Sequence, residues 1–221
     1  MAIKPILFNT EMVRANLEGR KSCTRRLVSS RQFLGMLPDK CKNAAPDEFL
    51  KGKRMMFKPY CDMTDAELIM TAYKAPYQPG DILYVRETWK KAPNGYYYYE
   101  SWQRSYIADI TKWHPSIHMP KEAARIWLKV TDVRVERLQD ITEEQACMEG
   151  TDPWDEACYE NNGWHPTFSD PDSGGDPNMI DGFHKLWNFT IKKSDIDRYG
   201  WDANPWVWVI EFERCDKPEE V

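Results

Sequence analysis

The chain has 221 residues, a formal net charge of -5, 42% hydrophobic and 29% charged residues. This length suits one domain with a sizeable core or a compact domain with a large insertion, and the composition makes a folded, soluble protein the default. The negative balance argues against coating of long nucleic acid by bulk electrostatics, which needs a broad basic face, but leaves room for a small basic pocket.

No apolar run approaches the roughly 18 residues of a membrane helix, and "MAIKPILFNTEMVRANLEG" lacks a signal-peptide core. The expected location is the cytoplasm, with no membrane partner. Cysteines 23, 41, 61, 147, 158 and 215 are scattered, so reduced thiols are expected. Without a CxxC pair, a structural zinc site has little support.

In chain order, residues 9–18, "NTEMVRANLE", predict a first helix. Asn9 or Thr10 caps it, and Gly19 stops it. "SCTRRLV" reads as extended. Residues 29–75 read as an insertion with short helices, including "TDAELIMTAY". "QPGDILYVRETW" predicts a turn at Pro79–Asp81 and then a strand. "GYYYYESW" and "RSYIADI" read as the next hairpin, "PKEAAR" as a helical turn, and "IWLKVTDVRVERL" as one long strand.

"DITEEQACMEG" predicts a second helix, with Thr142 as N-cap, Gln145 completing a capping box and Gly150 ending it. Residues 151–178 form a Gly-, Pro- and Asp-rich loop. "MIDGFHKLWNFTI" is a third helix, and "NPWVWVIEFERC" is a strand apolar on both faces at its start. Residues 216–221 read as a disordered tail. Several strands, three helices and no regular βαβ alternation predict an α+β protein with a small, mostly antiparallel β-barrel.

"GRKSCTRR" gathers Arg20, Lys21, Arg25 and Arg26 beside Ser22 and Thr24. A solvated strand edge blunted by charge explains such a cluster, and so does an anion- or nucleotide-facing site. His114 and His118 have the spacing of a metal pair, but Pro115 and the lack of a third nearby ligand argue against one. Tyrosines 96–99 and Trp102 read as a barrel face with an exposed edge or as base-stacking groups.

"LEGRKSCTRR", "PGDILYVRETW", "DITEEQACMEG" and "WVWVIEFE" stand in the order and relative positions seen in ASCH-domain proteins of the PUA-like superfamily. The chain resembles the larger phage and prophage versions of that family over residues 3–28, 76–150 and 179–214. The resemblance implies one ASCH domain over residues 1–215, interrupted at about 29–75 and 151–178. It also implies a PUA-like β-barrel with flanking helices and a cleft for a modified nucleoside or single-stranded RNA.

One branch of that family consists of N4-acetylcytidine amidohydrolases. By that resemblance Thr24 is a nucleophile, Lys21 accepts its proton, and Glu149 donates a proton to the leaving amine. Arg20, Arg25, Arg26, Arg86, Glu87 and Trp89 are candidate substrate-binding residues, with no metal or other cofactor implied. The chemistry suits an acyl amide, which needs a nucleophile, a base and an acid. A free lysine, with a pKa of about 10.4, is too basic to serve; crowding by guanidiniums favours its neutral form. Glu149 lies at the negative end of its helix, a place that suits a proton donor. Because strand side chains alternate, Lys21 and Thr24 converge only if the chain bends between them. A non-catalytic reader of RNA or modified bases, and a ribonuclease, remain as alternatives.

Overall fold

The computed structural model describes residues 1–29, 64–103, 112–151 and 179–219. The chain begins with β1 (Ile3–Leu7), α1 (Thr10–Leu17) and β2 (Cys23–Leu27). The Asn9 side chain accepts a hydrogen bond from the Met12 backbone N–H at 2.8 Å, capping α1. Gly19, at φ 78°, lets the chain leave the helix in the left-handed region. Within residues 29–75, α2 (Asp65–Ala72) starts at a capping box built by Thr64 and Glu67; residues 30–63 lie outside the described residues.

Next come β3 (Ile82–Arg86), β4 (Trp89–Ala92), β5 (Gly95–Tyr98) and α3 (Tyr99–Gln103). The hairpin differs from expectation. Gly95–Tyr98 pairs with Trp89–Ala92, and residues 99–103 turn helical. The cause is a short turn: Ala92 pairs with Gly95 across Pro93 and Asn94, and Gly95 takes φ 137°. "RSYIADI" lies outside the described residues.

The chain continues through β6 (Trp127–Arg137), α4 (Glu143–Met148), α5 (Met179–Thr190), α6 (Ile196–Tyr199) and β7 (Trp206–Cys215). The Thr142 and Gln145 capping box forms as read, and Gly150 has φ 85°.

The class is α+β. One five-stranded sheet runs in the order β1-β3-β6-β7-β2, and β4 and β5 make a second sheet. β1 pairs parallel to β3, whereas β3 pairs antiparallel to β6, so the larger sheet is mixed. Its order is open, with β1 and β2 at the ends.

The chain groups into two compact units: residues 1–22, 77–132 and 211–221, and residues 23–76 and 133–210. The first has a core of Ile82, Tyr84, Trp89, Met119, Ala123, Ala124 and Trp127. The second buries Cys23, Val207 and Val209 against Leu138, Ile141, Ala146, Phe183 and Trp187. That packing accounts for a last strand apolar on both faces: α5 covers the valine side. In the first unit, Asp81 of the "PGD" turn accepts hydrogen bonds from the Ala2 and Gln78 backbone N–H groups and from Lys4 Nζ. Burial acts to raise its carboxyl, but these three donors together hold it below the usual aspartate range. Among the described residues no helix is long and apolar enough to cross a membrane.

Candidate functional site

In the second unit, Cys23, Arg25 and Leu27 of β2 share the face covered by α4 and α5, and the two-residue strand period directs Thr24 and Arg26 to the other. The Arg25 side chain is wholly buried. Its guanidinium donates to Gln145 Oε1 at 2.8 Å, to Glu149 Oε1 at 3.3 Å and to Glu136 Oε2 at 3.4 Å, and lies 5.7 Å from the centre of the Phe183 ring. One guanidinium therefore grips both ends of α4: Gln145 in its first turn and Glu149 at its C-cap. Gln145 Oε1 also accepts from the Thr142 N–H, so the capping box and the arginine share an acceptor.

Thr24 is fully buried at 0% exposure, and its Oγ1 has no hydrogen-bond partner among the described residues. Such a hydroxyl costs about 1–3 kcal/mol relative to a satisfied one. Glu149, also buried, precedes Thr151, whose hydroxyl donates back to the Ala146 carbonyl. Arg26 is half-buried and donates to the Arg25 carbonyl.

In the first unit, Lys21 is 3% exposed, with its Nζ 5.6 Å from the centre of the Phe8 ring. Phe8 in turn packs on Phe212. The backbone N–H groups of Arg20 and Lys21 both donate to the Ala15 carbonyl, and Asn16 Nδ2 donates to the Lys21 carbonyl. These bonds curl the segment back onto the end of α1, and Lys21 precedes the start of β2 at Cys23. Arg20 instead pairs with Glu18 near the surface.

Glu87, 2% exposed, receives a bidentate pair from Arg125: Nε to Oε1 at 2.8 Å and Nη2 to Oε2 at 2.7 Å. Burial pushes the Glu87 carboxyl up, against the opposing pull of Arg125. Arg125 also reaches Ser101 and the buried Glu100, and rests 4.2 Å from the centre of the Tyr98 ring. Arg86 stacks on Tyr84 and donates to the Ile117 carbonyl and the Tyr84 hydroxyl. Trp89 is buried between Tyr96 and His114. Among the described residues no three His, Cys, Asp or Glu side chains gather closely enough to hold a metal ion.

Comparison with family models, curated proteins and solved structures returns no match.

The structure brings Arg25 and Glu149 together, a contact between residues 124 positions apart that no local signal announces. It also reveals partners that sequence reasoning missed: Arg125 and Glu100 around Glu87, and Phe183 and Glu136 around Arg25. Gln145 was legible as a capping residue, but not as an arginine partner.

Proposed function

We propose that this chain is an ASCH-type, PUA-like protein that binds a nucleobase, as a modified nucleoside or within single-stranded RNA, and hydrolyses the amide of an N4-acylated cytidine-type substrate. The observation that carries this reading is the Thr24 hydroxyl, sealed from solvent and lacking a partner among the described residues.

In this reading Thr24 Oγ1 attacks the acyl carbon and Lys21 Nζ takes its proton. As the C–N bond breaks, Lys21 passes that proton to the departing amino group of cytosine, and water afterwards releases the acyl group from Thr24; Glu149, expected from the resemblance to be the proton donor, is instead ion-paired to Arg25 on the other face of β2 and holds α4 in place. Lys21 is buried beside the Phe8 ring, three positions before Thr24 in the chain. Burial of Glu149 at the end of α4 gives its carboxyl a defined position. Arg25 ties β2 to α4 and is not a ligand for substrate phosphate, since its side chain is occupied by Gln145, Glu149 and Glu136.

The test is incubation of purified protein with N4-acetylcytidine, followed by chromatography. Release of cytidine that is lost in both Lys21→Ala and Thr24→Ala supports the reading. Binding without turnover reduces it to a reader of modified bases, and cleavage of unmodified RNA in the presence of a chelator replaces it with a ribonuclease.

A further inference from the structure

Asn16 lies on the inner face of α1, one turn beyond the buried Val13, and is itself only 1% exposed. A helix turns such a face toward apolar neighbours, so an amide placed there needs a hydrogen-bond partner at each of its two ends. One end is served: Nδ2 donates to the Lys21 carbonyl at 3.2 Å. The other is not. Oδ1 is sealed from solvent and accepts from no described residue. Turning the amide over would set Oδ1 against the Lys21 carbonyl oxygen, and two acceptors repel, so the open position is an acceptor's.

The amide is held from several sides. The Asn16 carbonyl accepts from the Gly19 N–H, while the Arg20 and Lys21 N–H groups share the neighbouring Ala15 carbonyl. Lys21 Nζ in turn lies 5.6 Å from the centre of the buried Phe8 ring. A side chain fixed in this way does not swing round to find a donor; the donor has to come to it.

We infer that Asn16 Oδ1 is a binding group for the N–H at the 4-position of a cytosine-type base, and that it selects cytosine over uracil. The inference deepens the functional reading and rests on it for the class of ligand: there Lys21 passes a proton to that same nitrogen, and Asn16 is bonded to Lys21. At the 4-position cytosine presents an N–H donor, whereas uracil presents a carbonyl oxygen. A buried acceptor gains a bond from the first. From the second it gains nothing, and its own desolvation stays uncompensated.

The experiment measures binding of cytidine and of uridine to the full chain by titration calorimetry; neither nucleoside carries an acyl group to lose. Wild-type protein is expected to bind cytidine about tenfold more tightly than uridine, the worth of one buried hydrogen bond. Asn16→Leu and Asn16→Ala remove the acceptor and are expected to bind the two nucleosides alike. Asn16→Asp keeps an oxygen in that place and is expected to retain the preference. A merely structural role for Asn16 would change both affinities together and leave their ratio standing, so the ratio is the quantity that decides. A preference for cytidine that survives in Asn16→Leu and Asn16→Ala overturns the inference. Wild-type protein that hydrolyses N4-acetylcytidine but binds cytidine no more tightly than uridine overturns the role of Asn16 alone. Protein that binds neither nucleoside and releases no cytidine from N4-acetylcytidine overturns the functional reading as well.

Discussion

Arg25 and Glu149 form an ion pair in which neither side chain is more than 3% exposed. Taking a guanidinium and a carboxylate out of water is costly unless each finds partners, and Arg25 finds Gln145 and Glu136 as well. The pair ties β2 to the C-terminal end of α4, so both elements depend on it. Arg25→Ala is expected to destabilise the protein by about 3–5 kcal/mol, and Glu149→Ala by less, because Gln145 and Glu136 still satisfy the arginine. Urea unfolding of the two single variants and the double variant measures their coupling; strictly additive losses would disprove the energetic link.

Thr24 gives a prediction of opposite sign for stability and for activity. Thr24→Val removes a buried hydroxyl that has no partner among the described residues while keeping the side chain's shape. It is expected to raise stability by about 1 kcal/mol and to abolish amide hydrolysis. Thermal denaturation alongside the N4-acetylcytidine assay checks both halves. A destabilised variant would mean that the hydroxyl has a structural role.

Asp81 should govern part of the acid limb of stability. Its folded carboxyl lies below the usual range because three donors outweigh its burial. The depressed group therefore contributes stability that is fully present above the unfolded value of about 3.9 and is lost as pH falls through the lower folded value. Asp81→Asn is expected to cost about 1–3 kcal/mol at neutral pH, with the difference from wild type shrinking as pH falls below about 4. Unfolding free energies measured between pH 2 and pH 7 decide this; a constant difference would contradict it.

Gly19 occupies φ 78°, and a methyl group built on it meets nothing within 4 Å. The cost of Gly19→Ala is therefore a backbone cost, about 1–2 kcal/mol. A chemical denaturation curve shifted by that amount, with the secondary structure unchanged by circular dichroism, is the expected result.

Much of the fold was legible because its signals are local. The Asn9 cap bonds to Met12, three residues away, and the Thr142 and Gln145 capping box spans the same distance. Such bonds need only one turn of helix to exist, so the residues that make them announce themselves. The apolar alternation of β7 likewise follows from the two-residue period of a strand. The pairing of β4 with β5 was not legible, because it is set by the short turn at Pro93 and Asn94 rather than by the composition of either strand.

The sequence by itself determined the helix caps and the apolar faces of the last strand, and the family resemblance it carries singled out Lys21, Thr24 and Glu149 as a group to consider. Only the tertiary structure decided which of the basic residues are buried, that Arg25 belongs to Glu149 while Arg20 stays with Glu18, and that Glu87 belongs to Arg125. The reason is distance along the chain. A cap or a period is set by neighbours within a few residues, whereas a buried charge takes its partner from whichever distant element the packing brings beside it.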